Sequence, residues 1–222
     1  MEADESLRSR LLRAPALAGP LPPFDTGRAP ERPGELFVRW IGEALDAGTG
    51  EPQVMTLSTA DRQGRPSARV LLLRDVDVED CGFVFATSSV SRKGRELADN
   101  PRAALTWYWP AQGRQVRVTG RVETAPPPTA REDFLGRSPA SREAAFTGRT
   151  SAPLSGAREY EHARARAREH LAADPLAVPP DHTVCTVRAD EIEFWQGSAD
   201  RHHVRLRYLR EGDGWTRGLL WP

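Results

Sequence analysis

Apolar and polar positions alternate with a period of two along much of this chain, which is the mark of strands with one buried face. "QVMTLSTA" (53–60) alternates, "DRQGRPS" (61–67) reads as a turn, and "ARVLLLRDV" (68–76) returns as a second strand. "CGFVFATS" (81–88) is a third. "AALTWYWP" (103–110) and "RQVRVTGRVETA" (114–125) follow, with "AQG" as the turn between them. "TVCTVRADEIEFWQG" (183–197) and "HHVRLRYLR" (202–210) resume the pattern, and "GWTRGLLWP" closes the chain. Short strands joined by tight turns predict an antiparallel meander closed as a barrel.

The period changes to that of a helix in four places. In "PGELFVRWIGEALDAGTGEP" (33–52), Pro33 can open a helix and Gly48 can end it; Leu36, Phe37, Trp40, Ile41, Ala44 and Leu45 form one apolar stripe. "SSVSRKGRELADNPRA" (88–103) reads as a loop entering a short helix that stops at Asn100-Pro101. "TAREDFLGRSPASREAAF" (129–146) predicts two short helices broken at Ser138-Pro139, and "GAREYEHARARAREHLAAD" (156–174) a longer one. Residues 1–33, rich in Pro, Arg and Gly, are expected to form a flexible N-terminal arm with an extended end. Residues 34–222 are expected to form a single domain with a helical insertion at about 128–173. The expected fold class is mainly β with flanking helices.

Composition narrows the function classes. The formal net charge is +0, so any basic site is local and a general nucleic-acid or membrane binder is disfavoured. The arginines of "RARARE" (164–169) resemble a nucleic-acid patch, but Glu159, Glu161 and Glu169 interleave with them as on a solvated helix face, and no aromatic set accompanies them. The two cysteines, Cys81 and Cys185, have no metal or redox spacing and read as buried thiols of a reducing compartment. No apolar run reaches transmembrane length, and the acidic start "MEADESLRSRLLRAPALAGPLPPFD" does not look like a signal peptide, so a cytoplasmic location is expected.

Three places carry candidate chemistry. Arg92, Lys93 and Arg95 sit where a helix begins, the end whose positive partial charge disfavours cations. Either this is a solvated loop, or an anion docks there on the free N–H groups with Arg92 and Lys93. Arg69 and Arg74 bracket an apolar strand; a phosphate, or salt bridges to Asp75 and Asp77, would partner them. In "EIEFWQGSADRHHVRLRY" (191–208), Trp195 offers a flat face. Arg201, His203 and Arg205 at spacing two would share one side of a strand, with His202 on the other. A planar heterocycle with localised negative charge suits that set; an ordinary strand with a core Trp is the alternative. His162, His170 and His182 are scattered, and no metal site is expected. There is no GxGxxG, GxxxxGK[ST] or GxSxG.

The ordered set "RVLLLRD", "FATSSVSRKGRELADNPRAAL", "RQVRVTGRVE", "IEFWQG" and "RLRYLREGDGW" resembles the pyridoxamine 5′-phosphate oxidase family of split barrels that bind flavin mononucleotide (FMN). The resemblance runs from about Pro33 to Pro222. It implies a homodimer with two FMN sites across the subunit interface. It places Arg69, Val70, Leu71, Leu72 and Arg74 along the flavin edge and phosphate, and Ala86 and Thr87 against the cofactor. Arg92 and Lys93 would hold the phosphate, Gln115 the flavin or its ribityl chain, and Thr150 and Ser151 the flavin; Trp195 and Arg205 would reach in from the partner subunit. Where the vitamin B6 oxidases bind substrate phosphate with Lys, Tyr, Arg and Ser, this chain has Arg74, Asp133, Arg137 and Ser141. Asp133 would set a carboxylate where a phosphate binds. The usual "RLHDR" is "RHHVR" here, keeping Arg201 and His203 as the expected catalytic residues on the substrate side of the flavin. The Pro-rich "GPLPPFDTGRAP", "KGRELADNP" and "LTWYW" look closer to the branch of phenazine biosynthesis.

The implied reaction is hydride transfer from a reduced, dihydrophenazine-like heterocycle to FMN, with dioxygen as final acceptor and hydrogen peroxide as product. A pyridoxine/pyridoxamine 5′-phosphate oxidase and a non-catalytic flavin- or haem-binding split barrel are the alternatives.

Overall fold

The computed structural model describes residues 6–148 and 150–222. Its strands are β1 (Val54–Ala60), β2 (Pro66–Leu72), β3 (Asp75–Asp77), β4 (Gly82–Ser88), β5 (Arg102–Trp109), β6 (Arg114–Thr124), β7 (His182–Gln196), β8 (Val204–Glu211) and β9 (Gly214–Leu219). All pairings are antiparallel, in the order β2-β1-β5-β6-β7-β4-β3. The long β7 serves two partners on one edge: its first half pairs with β4, and Glu191–Gln196 pair with β8, which carries β9.

The two ends of this sheet are consecutive in sequence, and this curls it. Between β2 and β3, the Leu73 N–H bonds Gln53 O beside β1, while the Arg74 N–H bonds Val84 O on β4. The result is an antiparallel split barrel with flanking helices, the expected fold class. A bulge at Thr119/Gly120 bends β6 where it crosses β7. A Cβ at Gly120 would stand 1.9 Å from Arg188 O, so only glycine fits.

Among the described residues, six α-helices flank the sheet: α1 (Leu7–Arg13), α2 (Pro33–Asp46), α3 (Arg92–Asp99), α4 (Pro127–Leu135), α5 (Pro139–Ala145) and α6 (Ala157–Ala173). Pro33 occupies the first turn of α2, where a missing N–H costs nothing. Leu36, Phe37, Trp40 and Ala44 are buried by it, whereas Ile41 is half-buried and Leu45 exposed, so the inward stripe is narrower than the sequence pattern. Phe37 meets Phe83 at 4.9 Å and Trp107 at 4.8 Å, and Trp40 meets Phe194 at 5.2 Å, all edge to face.

The N-terminal arm, expected to be flexible with an extended end, has local structure of its own. It contains α1, and its later half is docked: Phe24 packs on Trp40 at 4.9 Å and the Tyr208 hydroxyl donates to Pro30 O at 2.7 Å. Apolar side chains at Leu21 and Phe24 supply the burial that a Pro-rich composition conceals. The arginines of α6 do face a carboxylate: Arg164 and Arg168 both donate to Glu143 of α5.

Candidate active site

A cleft of about 420 Å³ opens between β2, β4, the start of α3 and the α4–α6 region. The strand β2 is an edge, and its pleat turns Val70 and Leu72 outward, toward this space. Of the residues singled out from the sequence, Val70, Leu71, Leu72, Arg74, Ala86, Thr87, Lys93, Arg137 and Thr150 line it together. Ser88, Asp181 and His182 also line it, with Ala144, Ala145 and Pro179.

Helix α3 explains how cations come to crowd a helix start. Ser91 caps it, its hydroxyl accepting from the Gly94 N–H at 3.2 Å. A Cβ on Gly94 would lie 2.4 Å from Ser89 O, so glycine lets the capping loop close against the helix. Arg92 donates to Glu96 one turn on, at 2.8 Å, and Arg95 donates back to Val90 O. The Arg92 N–H donates to Ser151 Oγ at 3.3 Å, which brings the Thr150–Ser151 segment onto the helix end. Lys93 makes no hydrogen bond or ion pair among the described residues. Burial, reinforced by the charge of Arg69, pulls its pKa down. A half-buried ammonium without a partner is a site for an anion.

Glu96 is the residue that sequence reasoning missed. It is buried and accepts from Thr59, from Ser67 at 2.6 Å and from Arg92, with Arg69 3.4 Å away. Burial pushes its carboxyl up, but the Ser67, Thr59 and Arg92 hydrogen bonds and the Arg92 charge outweigh this and hold it at about 2. Arg69 is thereby turned inward, also donating to Leu57 O and Thr59. The signal was present as the Arg92/Glu96 spacing of four on one helix face.

Beside Arg74, Asp133 of α4 bridges two elements and does not itself line the cleft. Its Oδ2 lies 2.9 Å from His182 Nε2, and its Oδ1 lies 3.7 Å from Arg74 Nε. His182 is sealed against the Phe134 ring at 5.0 Å, and burial lowers its pKa despite Asp133. Arg137 stacks over Phe134, and its buried Nε has no acceptor. Burial and the nearby Arg74 lower its pKa. Ser141 stands apart from this group: within the first turn of α5 it bonds the Ser138 cap at 2.9 Å and does not line the cleft. The α5 cap, set by Pro139 at the next position, takes its hydroxyl.

The remaining residues form a second assembly at the other end of β7. The register sets Gln115, Trp195 and Arg205 side by side in one row across β6, β7 and β8. Under the row, buried Glu193 accepts from Arg205 Nε at 2.8 Å and from Arg117. Burial raises the Glu193 pKa, yet the Arg205 hydrogen bond and the two guanidinium charges bring it below the usual range. Arg205 also donates to Trp221 O at 2.8 Å. Arg201 and His203 do not share a strand face with Arg205, as the spacing had implied. The strand begins at Val204, and Arg201 has φ 69° in a turn closed by its N–H to Ser198 O and by the His203 N–H to Arg201 O. His203 still reaches the row: its ring lies 4.8 Å from that of Trp195. Its Nδ1 accepts from the Ser198 N–H at 3.1 Å, so the neutral ring carries its proton on Nε2 and offers a donor.

Residues 41–196 match the family described as Pyridoxamine 5'-phosphate oxidase. The chain belongs to that family. Residues 182–222 match the Pyridoxine 5'-phosphate oxidase C-terminal dimerisation region, the segment that supports pairing of this oxidase as a homodimer. A Rubrobacter xylanophilus protein named Pyridoxine/pyridoxamine 5'-phosphate oxidase is 42% identical over 84% of this chain and 85% of its own length. A Haemophilus influenzae protein of the same name is 40% identical over 86% and 90%. The crystal structure of PhzG from Burkholderia lata 383 in complex with tetrahydrophenazine-1-carboxylic acid superposes with a TM-score of 0.83 at 33% identity, covering 92% of this chain and all of that one. The oxidase is an FMN-dependent enzyme, as its family is. The residues present fit the cofactor: Lys93 and the buried Thr87 hydroxyl, both without a partner among the described residues, and an apolar wall of Val70, Leu72 and Ala86 surround one cleft. Among the described residues, no helix is long and apolar enough to cross a membrane.

Proposed function

We propose that this oxidase removes hydride from a reduced, anionic heterocycle of the dihydrophenazine-carboxylate type, at an FMN site shared between two subunits. The carrying observation is the cleft: cations from three separate segments, Lys93, Arg74 and Arg137, converge around an apolar wall. That is provision for two anionic groups on flat rings, a cofactor phosphate and a substrate acid. The row of Gln115, Trp195 and Arg205 lies at the far end of β7 from His182, thirteen residues or about 40 Å of strand away. A symmetric dimer brings the row of one subunit to the cleft of the other.

Bound FMN supplies the hydride acceptor and the centre reoxidised by dioxygen, with hydrogen peroxide as product. The chain supplies the rest. Lys93 holds the phosphate, with Arg92 and Arg69 kept nearby by Glu96. Trp195 covers the reacting face and keeps water out. Arg201 orients the substrate ring over the flavin, and His203 Nε2–H donates to a ring heteroatom. The solved neighbour in complex with tetrahydrophenazine-1-carboxylic acid supports the tricyclic reading. The names of the curated relatives at 42% and 40% identity favour a second reading, oxidation of pyridoxine or pyridoxamine 5′-phosphate.

The test is anaerobic mixing of the FMN-loaded protein with a dihydrophenazine carboxylate and, separately, with pyridoxine 5′-phosphate, followed by air. Bleaching of the flavin by the tricycle, reversed by air, supports the first reading. Bleaching by pyridoxine phosphate alone replaces it with the second. Arg201→Ala should slow the bleaching while leaving FMN bound, and an unchanged single-turnover rate removes that residue from the site.

A further inference from the structure

Asp133 is fixed beside Arg74, not merely near it. One carboxylate oxygen is tied to His182 Nε2 at 2.9 Å, and the His182 side chain is only 4% exposed, with Phe134 against its ring. The other oxygen faces Arg74 Nε at 3.7 Å. An arriving anion therefore meets Arg74 with its charge already offset by a carboxylate that cannot swing away. Arg137 is less committed, since the Asp133 charge reaches it only beyond ion-pair distance. It has no ion pair among the described residues, and its Nε is buried without an acceptor. A guanidinium fork left open matches one carboxylate in two parallel hydrogen bonds. Immediately around Asp133, the guanidiniums of Arg74 and Arg137 and the one fixed carboxylate leave one net positive charge, enough for a monoanion. A phosphate dianion would bring its second charge up against Asp133.

We propose that Asp133 makes this part of the cleft a subsite for a singly charged carboxylate and discriminates against phosphate monoesters, with Arg137 as the group that receives the acid. This rests on the oxidase reading above and specifies its substrate class. It also makes Asp133 a specificity-determining residue, held in place by His182.

The experiment uses the FMN-loaded protein and two dead-end ligands of similar ring size, benzoate and phenyl phosphate, each titrated against the flavin spectrum at pH 8. Wild type should bind benzoate more tightly. In Asp133→Asn, which keeps an oxygen for His182 and loses the charge, the ratio of the two dissociation constants should move at least about tenfold toward phenyl phosphate. The ratio of kcat/KM for pyridoxine 5′-phosphate over a dihydrophenazine carboxylate should move the same way. Tighter binding of phenyl phosphate by wild type, or a shift in the ratio below about threefold, overturns the proposal. Should Asp133→Asn not fold, the wild-type order of the two ligands decides. Should wild type oxidise neither reduced substrate, the oxidation proposed above falls, while the ligand ratio still judges Asp133.

Discussion

Replacing Glu96 by Gln removes one charge from a buried network without changing its shape. The carboxylate is 5% exposed and meets Thr59, Ser67, Arg69 and Arg92. Its pKa is held at about 2, against 4.5 for a free glutamate. At 1.36 kcal/mol per tenfold change in proton affinity, that corresponds to about 3 kcal/mol of folding stability at neutral pH. This agrees with the cost of leaving one partner of a buried pair behind. Because the folded-state pKa is depressed, the contribution is complete above about pH 4.5 and is lost as pH falls toward 2. Urea unfolding of FMN-free protein, at one fixed protein concentration because dimerisation contributes, should show Glu96→Gln less stable by about 3 kcal/mol at pH 7. The gap should shrink to less than half by about pH 3. A loss under about 1 kcal/mol, or a gap equal at pH 7 and pH 3, would refute the reasoning.

Other perturbations reach the cofactor site from different sides. Lys93→Ala should raise the FMN dissociation constant roughly 10- to 100-fold, the worth of one charge-assisted bond, and affect riboflavin much less; flavin fluorescence titration compares the two. Gly94→Ala forces a Cβ to 2.4 Å from Ser89 O and should cost about 1–3 kcal/mol of stability in the same urea assay. At an FMN concentration that loads wild type but not Lys93→Ala, mixing Lys93→Ala and Trp195→Ala homodimers and allowing exchange should give about a quarter of wild-type activity above the two unmixed variants, since half the dimers are then mixed and each carries one intact site. No recovery on confirmed exchange would place cleft and row in one subunit.

Some of the site was legible because strand pleat is a local property. Alternation alone set Val70 and Leu72 on one face of β2, with Arg74 continuing the alternation just beyond the strand, and all three are exposed. Arg201 and His203 misled for the same reason: period two was extended through residues that a hydrogen-bonded turn occupies. His182 looked isolated, since its partner Asp133 is 49 residues away and only the α4–β7 contact joins them. Glu193 was hidden as one more charge in a strand, although Arg117 and Arg205 from two neighbouring strands both turn onto it.

What the sequence determined by itself was most of the run of strands and helices, the helix start at Arg92 and the ordered motifs that carry the family. All of these depend on residues a few positions apart, where propensity, period and capping act. What tertiary structure decided was which charges meet. Closure through Leu73 and Arg74 builds the cleft, burial of Glu96 commits Arg69 and Arg92, and the β6–β7–β8 register aligns Gln115 with Trp195 and Arg205. Electrostatic partnership depends on distance and burial, and neither is set by spacing along the chain.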